Sequence, residues 1–299
     1  MKYRNIYIAN KCYLSTKNNC LVIDNGEKDS VPIEDIRCVM IDNRQSTMSA
    51  ALLSKLALAG ATIMVCDDYH LPTAYLLPAN QYSRQLKQLQ LQLDQTVPAK
   101  KRLWTQIVKA KIDNQAKCLQ LCGKIDEAEN LCNMSRAIKV GDPQNTEGRA
   151  AALYFKSLFG ATFRRSEENE INASLNYGYS IVRSYIARTL AIYGLEPVLG
   201  IHHKSELNNF NLADDLLEPF RPFVDLYTFS HLEDGIDFST AYRAEMLSIM
   251  NMDMLSKQQY CSIDVAVERL VQSVVACYNK SQTKLILPEL VELRYHRYS

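Results

Sequence analysis

Hydrophobic and polar positions alternate in short runs at the start of the chain. "IYIAN", "CYLST", "CLVID", "RCVMID" and "TIMVC" are rich in β-branched and aromatic residues and predict strands. "KNN" and "NGEKDS" between them carry turn chemistry. One helix interrupts this series. Ser49 stands before "AALLSKLALAG", whose apolar residues follow a helical period that Gly60 closes. "PTAYLLPA" reads as a last strand. The period then changes. "YSRQLKQLQLQLDQ", "AKKRLWTQIVKAKIDNQAKCLQLCG", "IDEAENLCNMSRAIK", "DPQNTEGRAAALYFKSLFG", "NEINASLNYGYSIVRSYIARTLAIYG" and "DVAVERLVQSVVACYNK" all predict helices. In the fourth of these, Asp142 and Pro143 give an N-cap and first-turn signal. Strands first and helices afterwards predict an α+β protein of two domains rather than an alternating fold. Residues 1–80 form a small strand-rich domain and residues 81–299 a larger all-α domain.

Length and composition allow a real core, with 299 residues and 47% apolar content. A net charge of +1 and a pI near 7.5 exclude a globally basic protein. Any nucleic-acid binding must then rest on local clusters. No apolar run approaches the ~20 residues that span a membrane. The chain opens "MKYRNIYIAN" with no apolar signal segment, so its nine cysteines are expected as reduced thiols in a cytoplasmic protein. Cys118 and Cys122 lack a second Cys or His pair at zinc-finger spacing.

Candidate chemistry concentrates in "GIHHKSELNNFNLADDLLEPFRP", residues 200–222. Two histidines precede Asp214, Asp215 and Glu218. On a helix, Glu218 shares a face with either aspartate, while Pro219 kinks whatever follows. Acids at a helix start also serve as caps. Histidine with carboxylates instead makes a mixed N/O donor set suited to Mn²⁺ or Zn²⁺ and tolerant of Mg²⁺. A third ligand could come from Glu147 in "NTEGRAAALYF", which reads equally as a first-turn acid. Asn172, Asn176, Tyr179 and Arg183 form a polar stripe whose side chains suit phosphates and sugars. Arg164, Arg165, Arg188 and Arg221, with Lys100, Lys101, Arg102 and Lys109, add local basic clusters.

Taken in order, "TEGRAAALYF", "NASLNYGYS", "LGIHH" and "LADDLLEPFRPFVD" resemble CRISPR-associated protein one, the integrase that inserts spacers during CRISPR adaptation. "VPIEDIRCVMID", "GATIMVCDDYHLPTAYLLP" and "LWTQIVKAKIDNQAKCL" extend the resemblance along most of the chain. The "GIHH" form, the "EPFRP" ending and the compact length look most like the type II version. The resemblance implies a β-sandwich-like N-terminal domain, a helical catalytic domain and a homodimer. It implies two such dimers bridged by a small ferredoxin-like companion subunit, with double-stranded DNA as substrate. The type II effector nuclease and a further adaptation protein are possible partners. It also implies a metal triad of Glu147, His203 and Glu218 using Mg²⁺ or Mn²⁺, with Asp215 in support. Asn172, Tyr179 and Arg183 carry over as DNA contacts, and Arg164, Arg165 and Arg221 are basic candidates beside them. Other readings are a nuclease acting on branched DNA and an inactive DNA-binding scaffold. A His-Asp phosphohydrolase is disfavoured, because Lys204 follows the two histidines.

Overall fold

The computed structural model describes residues 4–76, 84–232 and 237–297. The expected boundary between residues 80 and 81 lies outside these, as do the end of "PTAYLLPA" and the start of "YSRQLKQ". The N-terminal part holds β1 (Arg4–Ile8), β2 (Tyr13–Lys17), β3 (Cys20–Asp24), β4 (Lys28–Pro32), β5 (Ile36–Ile41), β6 (Thr47–Met48), α1 (Ala50–Leu58), β7 (Thr62–Cys66) and β8 (Pro72–Leu76). They form two four-stranded sheets, ordered β1-β5-β7-β8 and β4-β3-β2-β6. Asn18 and Asn19 both take left-handed φ in the β2–β3 turn, as "KNN" foretells. "NGEKDS" reads as turn throughout, yet its last three residues belong to the strand Lys28–Pro32. It is a polar edge strand, which shows no apolar alternation to read.

Leu14, Leu21, Val31, Ile36, Val39 and Ile63 bring both sheets into one small core with Leu52 and Leu56 of α1. Cys38, Met40, Met64 and Cys66, on the other face of β5 and β7, belong to the large core of the helical part. This sheet is thus buried on both faces, which is why "IRCVMI" and "TIMVC" are nearly continuous apolar runs. Polar bonds add to the junction. Asp42 accepts from Tyr7 Oη at 2.7 Å and from Arg243 Nη2 at 3.2 Å.

The helical part comprises α2 (Gln85–Leu93), α3 (Val97–Leu121), α4 (Ile125–Arg136), α5 (Thr146–Phe159), α6 (Glu170–Ile192), α7 (Asn211–Leu217), α8 (Arg221–Ser230), α9 (Thr240–Leu247) and α10 (Ile263–Tyr278). Helices α2–α6 and α10 match the helical segments read from the sequence; α7, α8, α9 and one hairpin, β9 (Asp253–Ser256) with β10 (Gln259–Ser262), are added among the described residues. Thr96 caps α3, whose second residue is Pro98. The N-cap of α5 is Asn145 rather than Asp142. Asp142 instead accepts the N–H groups of Thr146 at 2.8 Å and Glu147 at 2.9 Å. Both residues thus satisfy the open donors of one helix start. Gly178 lets α6 close on α8, since a Cβ there would lie 2.5 Å from Val224 Cγ1. All nine cysteines are free thiols. Among the described residues no helix is long and apolar enough to cross a membrane.

Candidate active site

The site lies where α3, the start of α5, the loop 200–203 and the α7–α8 junction meet. Pro219 cannot continue a regular helix, so Glu218–Phe220 form a 3-10 turn between α7 and α8. That turn aims the Glu218 side chain inward, where it is 5% exposed. From α3, Asn114 holds the turn. Its Nδ2 donates to Pro219 O at 2.8 Å and Pro288 O at 3.0 Å, and its Oδ1 accepts from Leu290 N at 3.0 Å.

Glu147 and Glu218 come together on one cation. Lys111 of α3 lies 2.6 Å from Glu147 Oε1 and pairs with Glu218 Oε2. Arg221 Nε donates to Glu218 Oε1 at 2.9 Å. Burial works against a charged Glu218, but Arg221 and then Lys111 outweigh it and hold the carboxyl down at about 2. Burial likewise opposes a charged Lys111, and the two glutamates reverse this and raise its pKa.

The loop 200–203 is organised by Asp215, which is fully buried. Its carboxylate accepts from the backbone N–H of Ile201 at 2.5 Å, His202 at 2.9 Å and His203 at 3.1 Å. It also bonds His203 Nδ1 at 2.7 Å. A carboxylate only accepts, so Nδ1 carries the proton, and in the neutral ring Nε2 is the nitrogen with a lone pair to offer. The Asp215 bond raises the pKa of His203 against its partial burial. Gly200 permits the close turn. A Cβ there would sit 2.2 Å from His203 O and 3.0 Å from Asp215 Oδ2. The two histidines therefore differ. His202 stacks on Trp104 with ring centroids 4.1 Å apart, whereas His203 meets that ring edge-on at 5.9 Å.

Glu147, Glu218 and His203 supply two carboxylates and one imidazole, a donor set of the kind that holds Mn²⁺ or Mg²⁺. As they stand, no three His, Cys, Asp or Glu side chains among the described residues form a ready metal cluster. Lys111 spans the two carboxylates instead.

The six residues expected to contact DNA fall in four different settings. Arg165, Tyr179 and Arg221 wall a pocket of about 190 Å³ beside Glu218, with Gln115 and Asp225. Arg165 and Arg221 lie over the Tyr179 ring at 5.6 Å and 4.5 Å. Tyr179 and Tyr154 both donate to Asp225. Burial pushes the Asp225 carboxyl up to about 6 against these two bonds. Asn172 is buried and used internally, donating to Arg164 O and Glu167 O and accepting from Arg165. Arg183 is engaged by Tyr75, Asp214 and the Phe210 ring. Arg164 is largely exposed, 3.8 Å from Glu167. Lys111, Asn114 and Trp104 are the partners that sequence reading missed. All three lie on α3, where periodicity marks a face but not a partner.

The family model described as "CRISPR associated protein Cas1" matches residues 6–249. A CRISPR-associated endonuclease Cas1 from Neisseria meningitidis serogroup C is 41% identical over 303 residues, covering 100% of both chains. Among solved structures, a casposase bound to integration product aligns with TM-score 0.77 at 18% identity, covering 96% of this chain and 93% of that one. A Cas6-RT-Cas1--Cas2 complex aligns with TM-score 0.72 at 18% identity, over 96% of this chain and 36% of that one. Matched over its full length by a relative that shares two residues in five, the chain belongs to the CRISPR-associated Cas1 family.

Proposed function

We propose that the protein is a metal-dependent DNA endonuclease and integrase that inserts short DNA fragments into a CRISPR array during adaptation. The observation that carries this reading is the convergence of Glu147 and Glu218 on one cation. His203 lies within electrostatic reach of Glu218, its orientation set by Asp215. Glu147, His203 and Glu218 would hold Mg²⁺ or Mn²⁺, which supplies Lewis-acid charge to the scissile phosphate.

The chain's own residues do the positioning. Asp215 fixes the His203 ring and its tautomer, as a carboxylate bonded to the far nitrogen of a metal-binding histidine does. Arg221 and Arg165 line the pocket next to Glu218 and provide charge for a phosphate that carboxylates alone would repel. In the joining step the 3′-oxygen of the donor fragment bonds to phosphorus at the repeat edge. The strand's own 3′-oxygen leaves, so one P–O bond forms as another breaks.

The endonuclease relative and the casposase bound to integration product support this chemistry. The Cas6-RT-Cas1--Cas2 complex supports assembly with a companion subunit. We infer a homodimer, two copies of which are bridged by that companion, in a type II system. The test mixes the protein with its companion, Mn²⁺, a short duplex and a repeat-bearing plasmid. Joined product is expected. Cleavage of branched DNA without joining would favour a repair-type nuclease instead.

A further inference from the structure

Lys111 sits between the two carboxylates proposed above as metal ligands. Its ammonium touches Glu147 Oε1 at 2.6 Å and pairs with Glu218 Oε2. The second Glu218 oxygen is taken by Arg221 at 2.9 Å. Both Glu218 oxygens thus face a cation, and the Oε2 contact is an ion pair that leaves this buried atom without a hydrogen bond. Lys111 makes no other hydrogen bond or ion pair among the described residues, so only the two carboxylates hold its head group. Lysine suits a temporary occupant. It is a point charge on a flexible stem, with none of the forked geometry by which arginine locks onto carboxylates. Its side chain is 10% exposed and those of Glu147 and Glu218 are 22% and 5% exposed. Two carboxylates that converge on one point repel each other when charged, unless a cation joins them. Three positive charges cannot share the space between them when an M²⁺ ion arrives.

We infer that Lys111 is an internal competitor for the metal position, holding Glu147 and Glu218 together in the ion-free protein and leaving them when Mg²⁺ or Mn²⁺ binds. This rests on Glu147 and Glu218 being the ligands. Lys111 thereby sets the metal affinity of the site and keeps it assembled between binding events. In this account Lys111 is a positioning residue.

The test is Mn²⁺ binding by calorimetry on the full chain, with thermal melts in EDTA and in Mn²⁺. Lys111→Met is expected to bind Mn²⁺ at least tenfold more tightly than wild type. It should melt several degrees lower in EDTA and gain more from Mn²⁺. Equal or weaker Mn²⁺ binding by Lys111→Met overturns the inference. If that variant does not fold, Lys111→Arg carries the test. A fixed, forked cation should compete harder and weaken Mn²⁺ binding, and tighter binding contradicts the inference. Glu218→Ala tells the two failures apart. If it loses Mn²⁺ while Lys111→Met changes nothing, the ligand pair stands and the Lys111 role falls. If Glu218→Ala binds Mn²⁺ as wild type does, both fall.

Discussion

At the scale of single residues, the site depends on one buried carboxylate and one glycine. Asp215 accepts three backbone N–H groups and the His203 ring, so it sets both the loop and the tautomer. Asp215→Asn replaces one acceptor oxygen with a donor. It should lower Mn²⁺ affinity by roughly 10–100-fold, measured by calorimetry, with His203 itself unchanged. Gly200 has an ordinary φ and is required for space alone. Gly200→Ala would drive a methyl into His203 O and Asp215. It should cost about 2 kcal/mol or more in urea denaturation and lower joining activity with it. The sequence showed the histidines and acids of residues 200–222, and the family resemblance singled out His203 and Glu218. It could not show that Asp215 belongs to the loop before it, since that bond forms only when α7 folds back on residue 201.

At the scale of elements, most helices and strands follow from periodicity and punctuation, and the exceptions have physical causes. The β9–β10 turn is made by Lys257 and Gln258, both in left-handed φ. Neither residue type signals such a turn, so this hairpin was not visible beforehand. Lys111 was equally hidden. It is one of several lysines on α3, and only packing against α5 and the 3-10 turn distinguishes it. Asn114 links α3 to that turn and to residues 288–290 by three hydrogen bonds. Asn114→Ala leaves buried backbone groups without partners. We expect a loss of about 2–4 kcal/mol in chemical denaturation and weaker Mn²⁺ binding, because the turn carrying Glu218 loosens.

At the scale of the whole molecule, the strand-rich part and the helical part are joined through a sheet buried on both faces. Acid should test how far the site contributes to the stability of this unit. Glu218 has its pKa lowered from 4.5 to about 2 by Arg221 and Lys111 acting against burial. A depressed carboxyl stabilises the fold fully above its unfolded value and loses that contribution as pH falls from 4.5 towards 2. The contribution is on the order of 3 kcal/mol. In EDTA, wild-type stability should therefore fall more steeply over this range than that of Glu218→Gln. Parallel curves would mean that the ion pairs carry no net stability. The central claim is that Glu147, His203 and Glu218 together hold the catalytic metal. Its most direct test is Mn²⁺-dependent joining of a short duplex to a repeat-bearing plasmid by Glu147→Ala, His203→Ala and Glu218→Ala, each checked for wild-type-like folding by circular dichroism. We expect joining to fall below detection in all three, whereas full metal-dependent joining by any one of them would contradict the triad.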